Sequence, residues 1–237
     1  MPAWTEPPGR TTHCLWRGGV AIYLAMLLAA LAAGLWPEAI HHSQVHRPGA
    51  PVPTLQTLAV AQCCYFLLVW PIVIAARSDG GRGPLGAAAV AETIVLLVAA
   101  IPFYVAGAYF ADATVVDLAR TAVAVCGGLP LAWAGSLWIA TYRPGRPWVA
   151  LNALALVFGG AIGCYVIREF LGGAAGAAAA WQLSPITFAW QAAQSQGRRW
   201  FAEPLWPMAA WALAAAMAGL ANLALVHGRR HKSSDGQ

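Results

Sequence analysis

Apolar residues in this chain gather in six long runs, at approximately 20–36, 56–76, 85–110, 119–141, 148–167 and 204–226, each almost free of charge. A bilayer core about 30 Å thick takes about 20 helical residues to cross and offers no water to an unpaired backbone group, so runs of this length predict transmembrane helices. The expected fold is all-α: a polytopic membrane protein with six transmembrane helices. Residues 20–226 form one membrane domain, flanked by an N-terminal tail over 1–19 and a C-terminal tail over 227–237. Tails of that size are too short to fold alone.

Composition points the same way. Hydrophobic residues make up 59% and charged residues 10% of the 237 positions, where a soluble domain carries about 25% charged residues and needs them to cover its surface. Several of the 12 Trp stand near run ends (Trp16, Trp36, Trp70, Trp148, Trp206), where an amphipathic ring favours the headgroup layer. Ala30-Leu31-Ala32 has the small-residue character of a signal-peptide cleavage site. The run is long for a signal peptide, however, and Trp36-Pro37 closes it as a membrane interface would.

Lys and Arg near span ends are retained on the cytoplasmic side during insertion. Arg10 and Arg17, Arg77 and Arg82, Arg143 and Arg146, and Arg229, Arg230 and Lys232 then share one side. Arg47, Arg120 with Asp112 and Asp117, and Arg168, Arg198 and Arg199 with Glu169 and Glu203 lie on the other. Both termini are expected in the cytoplasm. The net charge of +5 is spread over these membrane-flanking segments and forms no continuous basic strip, which excludes a nucleic-acid surface. Cys63, Cys64, Cys126 and Cys164 fall inside predicted spans, where a thiol packs as a small apolar group, and Cys14 precedes the first. The C-x-x-C spacing of a redox or zinc site is absent.

Two segments break the pattern. If the third crossing began at Leu85, Glu92 would lie about 10 Å deep at 1.5 Å per residue, an expensive place for a carboxylate. The reading adopted is a short cytoplasmic surface helix over Leu85–Ala91, with Glu92 at the membrane boundary. Before the last run, Ser184 is a plausible N-cap with Pro185 at the first helical position. Ile186, Ala189, Trp190 and Ala193 then share one face and Gln191, Gln194 and Ser195 the other. This predicts a short amphipathic helix in the outer interface, marked by Ser184, Pro185 and Trp190.

The order of these features resembles the permease subunits of type-2 ABC exporters. Members have six spans, cytoplasmic termini, a coupling helix between the second and third spans, and short re-entrant or interfacial helices before the sixth. The stretch Val69-Trp70-Pro71 through Arg77-Ser78-Asp79-Gly80-Gly81-Arg82-Gly83-Pro84-Leu85 is similar to the family's proline-containing span end and charged, glycine-containing turn. Leu183-Ser184-Pro185-Ile186-Thr187 is similar to its Ser/Asn-Pro segment. Where members carry a Glu-Arg pair and a Gly-Thr-Leu-Glu-like run, this chain has Arg77-Ser78-Asp79 and Gly83-Pro84-Leu85-Gly86. The resemblance implies a transport subunit of a bacterial cytoplasmic (inner) membrane, paired with a second copy or a paralogue. A separate ATP-binding-cassette ATPase would seat near Arg77, Asp79, Arg82, Leu85, Ala88 and Glu92. No Gly-x-x-x-x-Gly-Lys-Ser/Thr loop occurs in the chain, so ATP hydrolysis is expected elsewhere, with no catalytic residue, cofactor or metal here.

Two other classes stay open at this level. His41-His42-Ser43-Gln44-Val45-His46 could mark a redox or metal-binding membrane subunit, since imidazole suits copper, zinc and haem iron. A non-catalytic membrane scaffold is equally compatible with the runs. An intramembrane enzyme is disfavoured, because the spans offer mainly uncharged polar residues such as Asn152 and Asn222.

Overall fold

The computed structural model describes residues 9–40, 53–78, 85–141, 184–193 and 208–217, with single helical positions between 151 and 170 and at Leu220. Its elements are α1 (Gly9–Ile40), α2 (Pro53–Cys64), a π-helical turn (Tyr65–Val69), α3 (Trp70–Ser78), α4 (Leu85–Phe110), α5 (Val115–Thr141), α6 (Pro185–Ala192) and α7 (Met208–Met217). Among the described residues there is no strand. Four stretches are long and apolar enough to cross a membrane: Leu15–Trp36, Pro53–Ile74, Val90–Phe110 and Val115–Ser136. They coincide with the first four predicted runs. Much of the fifth and sixth runs lies outside the described residues.

The exterior differs from that of a soluble bundle, while the interior is apolar with polar positions set into it. Ile22, Leu28, Ile94, Val98, Ile101 and Val105 are exposed, while Gln56, Gln62, Thr93 and Thr121 are buried. An apolar exterior around polar interior positions is what a hydrocarbon solvent selects, because an unpaired polar group facing lipid costs several kcal/mol, on the order given for lost backbone bonds.

The second span is one rod made of α2, the π turn and α3. Pro71 has no N–H to donate and its ring crowds the preceding turn; the π turn just before it widens the helix, with the Trp70 N–H bonded to the Tyr65 carbonyl. π turns in α-helices are one recognised cause of local irregularity. Around this turn, Tyr23 stacks at 4.7 Å from Tyr65 and 5.9 Å from Phe66, and Trp16 meets Trp70 edge-on at 5.8 Å. The Tyr65 hydroxyl donates to the Gly19 carbonyl at 2.9 Å. This aromatic seam fixes α1 on the second span.

At the other end of the same pair, small residues let the backbones touch. A Cβ on Gly34 would stand 2.5 Å from the Thr54 Cα, so only glycine fits. The approach brings the Thr57 hydroxyl within 2.9 Å of the Ala30 carbonyl, an interhelical bond of the type that small-residue contacts permit in membranes.

α4 is a single helix from Leu85 to Phe110. The sequence reading separates Leu85–Ala91 from the span; the structure has no break there, since Ala87, Ala88, Ala89 and Ala91 are strong helix formers and no Pro or Gly interrupts positions 87–101. Glu92 is half-buried and engaged rather than free. α4 then ends in a Schellman turn: the Asp112 N–H bonds the Tyr109 carbonyl and the Ala113 N–H the Ala108 carbonyl. Asp112 takes the left-handed position with φ 49°, which Asp tolerates better than most residues. α5 begins at once with a capping box. The Thr114 N–H donates to Asp117 Oδ2 at 3.1 Å, and the Asp117 N–H to Thr114 Oγ1 at 3.3 Å.

Candidate functional site: a short helix inside the bundle

The sequence predicts a helix starting at Ser184-Pro185, and α6 covers Pro185–Ala192. Its setting differs from the expectation of an outer interfacial helix. Ser184, Pro185, Thr187, Phe188, Ala189, Ala192 and Ala193 are buried, and Ile186 and Trp190 are half-buried; none of the described side chains is exposed. Amphipathic spacing distinguishes two faces without telling what covers them. Here one side packs on α2 and another on α5.

The depth of α6 follows from its neighbours. Pro185 lies against Gly128, whose added Cβ would come 3.5 Å from the Pro185 Cβ. From Val115 to Gly128, α5 advances about 20 Å, so the N-terminal end of α6 lies well inside a hydrocarbon core about 30 Å thick. At its other end, the Trp190 carbonyl faces the Gln56 amide, whose Nε2 donates at 3.5 Å. Gln56 is only about 5 Å along α2 from Pro53. α6 therefore runs from mid-depth toward the end of the bundle that holds the α4–α5 turn, as a re-entrant helix does. Irregular backbone at such depth is tolerated only where protein or a polar cavity surrounds it, and the burial of α6 meets that condition.

Packing around α6 is apolar in its middle, and the Gln56 amide meets its C-terminal end. Phe188 and Ala189 share a cluster with Ala59, Cys63, Ala124, Val125 and Trp211, and the Phe188 and Trp211 rings meet edge-on at 5.2 Å. α7 is brought in by Met208, whose side chain covers Gly127 closely enough that a Cβ there would meet it at 2.7 Å. Toward the turn end, Thr54, Gln56, Asp117, Arg120 and Thr121 are all buried. Arg120 Nη1 lies 3.8 Å from Asp117 Oδ1, with both side chains about nine-tenths buried. Sequence reading treats Asp117 and Arg120 as loop charges that set topology; the structure puts them in the first turns of α5, where the capping box holds the carboxylate.

Other interior polar groups are tied in pairs. Gln62 Nε2 donates to the Tyr23 hydroxyl at 2.9 Å, and Trp133 Nε1 to Thr93 Oγ1 at 3.1 Å. The Thr121 and Ser136 hydroxyls donate back to the Asp117 and Ala132 carbonyls. Sequence reasoning missed Gln56, Gln62, Tyr23, Thr93 and Trp133. The signal was present in Gln56 and Gln62, two amides within an otherwise apolar run, because amides in a span are stable chiefly when a neighbouring helix pairs them.

Of the residues expected to meet an ATPase, Arg77 falls in the last turn of α3, Leu85 and Ala88 in the first turn of α4, and Glu92 about one turn beyond Ala88; Asp79 and Arg82 lie outside the described residues. The structure does not describe contacts for the Arg77, Leu85 or Ala88 side chains. His41, His42 and His46 also lie outside the described residues. No protein-family model, curated protein or solved structure matches the chain.

Proposed function

We propose that the chain is the permease subunit of an ATP-driven exporter, with six spans, both termini in the cytoplasm, and a separate ATP-binding-cassette ATPase. The observation that supports this most is α6: a short helix buried in the bundle between mid-depth and the turn end and followed in the chain by another apolar helix, α7. A helix so placed is similar to the re-entrant elements that precede the last span of type-2 ABC permeases. It also has a physical rationale in transport. A half-crossing helix packed on two spans moves with them, so a shift of α2 against α5 would move the end of α6 that Gln56 holds.

In this reading two copies, or this chain and a paralogue, pair in a bacterial inner membrane, and the ATPase seats against the end of α3 and the start of α4. Work enters at Arg77–Glu92 and is transmitted along α4 and the second span to α6. The test is isolation of the tagged protein from its native membrane in mild detergent, with mass spectrometry for a protein carrying the phosphate-binding Gly-Lys-Ser/Thr loop. The expected result is near-stoichiometric recovery of such an ATPase from the unaltered chain and its loss with Ala88→Arg, while the variant still inserts and elutes as a folded species. Absence of any ATPase from the unaltered protein sinks the transporter reading in favour of a scaffold. Topology reporters supply a second measurement: fusions after Arg82, Arg146 and Lys232 read cytoplasmic, and an external reading at Lys232 removes the six-span arrangement.

A further inference from the structure

α4 and α5 are joined at both ends and apart between. At one end the Schellman turn and capping box over Phe110–Asp117 hold them; toward the other, Trp133 Nε1 bonds Thr93 Oγ1. Between these ties lies a half-open groove of about 310 Å³, near the roughly 300 Å³ at which ligand pockets begin. Leu97, Ile101 and Val105 form one wall, Leu118 and Ala122 the other, and Gln62 reaches the floor from α2. Gln62 already donates to Tyr23, so the lining offers little free polarity. Tyr104 backs the groove, nine-tenths buried, and its hydroxyl is sealed from solvent with no partner among the described residues.

What enters such a groove is decided by its depth. Leu97 to Val105 extends about 12 Å along α4, entirely inside the Val90–Phe110 span. The rim residues Val98, Ile101 and Val105 are exposed on a face that meets lipid, where water is absent. A slot parallel to the helices, lined by hydrocarbon and open sideways at that depth, matches the direction and chemistry of an extended lipid tail. We propose that the α4–α5 groove seats one acyl chain of a bilayer lipid, from the leaflet on the side of the α4–α5 turn. The ties at both ends fix the width of the slot, so the chain is held by shape rather than by charge. This inference rests on the membrane spans and is independent of the transport reading.

The protein is reconstituted in phosphatidylethanolamine nanodiscs containing a trace of the same lipid with a diazirine in its acyl chain, irradiated, and mapped by peptide mass spectrometry. Adducts on the exposed α1 positions Ile22 and Leu28 serve as the reference for ordinary lipid contact. The expected result is enrichment of adducts at 97–105 and 118–126 over that reference. Ala122→Trp, at an exposed position where added bulk enters the groove without displacing packed neighbours, reduces groove adducts by about tenfold and leaves α1 adducts unchanged, a factor equivalent to about 1.4 kcal/mol. Tyr104→Phe leaves the pattern as it was. Groove adducts no more frequent than those on α1, or insensitive to Ala122→Trp, overturn the proposal. So does their loss in Tyr104→Phe, which points instead to a ligand held by a hydrogen bond to that hydroxyl.

Discussion

Gly34→Ala isolates how closely α1 and the second span must approach. Substituting Ala for Gly in a helix interior is by itself favourable by up to about 1 kcal/mol. At Gly34 the new Cβ would stand 2.5 Å from the Thr54 Cα and 2.6 Å from Thr57 Oγ1. The first of these is backbone, so relief requires α1 and α2 to move apart. Overpacking of this kind costs about 1–3 kcal/mol. Separation also stretches the 2.9 Å bond from Thr57 to Ala30, worth roughly 0.6 kcal/mol for an interhelical bond in a membrane. The net expectation is destabilisation by about 1–2 kcal/mol after the propensity gain is subtracted. Gly18 on the same helix supplies the control, because nothing lies within 4 Å of its added Cβ; Gly18→Ala is expected to be neutral or stabilising by up to about 1 kcal/mol. The assay is reversible unfolding in mixed micelles of mild detergent and dodecyl sulfate, followed by Trp fluorescence. If Gly34→Ala unfolds at the same dodecyl sulfate fraction as Gly18→Ala, the two helices do not touch at this point and the close-approach argument fails.

Three further predictions use the same unfolding measurement. Thr114→Ala removes the hydroxyl arm of the capping box, leaving the Asp117 carboxylate on the backbone N–H of residue 114, and costs about 1 kcal/mol, whereas Thr114→Ser retains it; equal stability of the Ala and Ser variants would remove the capping assignment. Asp112→Gly relieves the left-handed backbone and raises stability by up to about 1 kcal/mol, while Asp112→Val lowers it; the opposite order would exclude the Schellman geometry. Gln62→Leu strands the buried Tyr23 hydroxyl at a cost of about 1–3 kcal/mol, and adding Tyr23→Phe recovers most of it; strict additivity of the two changes would show that they do not interact.

How much of this could be read from the chain varies with the kind of question. Membrane spans were legible because their signal is local and summed: about 20 consecutive residues each contribute, and a single Glu92 or Arg120 does not cancel the run. The start of the short helix at Pro185 was legible for a similar reason, since Ser before Pro is a local backbone signature. The separation of Leu85–Ala91 from the span was read from the cost of one carboxylate, and the structure keeps the helix whole. The cost of one carboxylate argues for where the membrane boundary falls rather than for a break in the helix: the apolar span of α4 starts at Val90, which leaves Glu92 near its end while the helix continues back to Leu85.

By itself the sequence determined which segments are apolar enough to cross a membrane, the first four of which form long helices, and the residues able to begin or end a helix. Only the tertiary structure decided which faces meet. The eight residues of α6 have the same periodicity whether they float in an interface or enter a bundle; Gly128 and Gln56, distant in the chain, place them inside. The pairing of Gln62 with Tyr23, the burial of Asp117 with Arg120, and the groove between α4 and α5 likewise depend on contacts between separate helices. Propensity and hydropathy act along a single helix, whereas these features arise from the spacing between helices, which small residues, caps and a π turn set jointly.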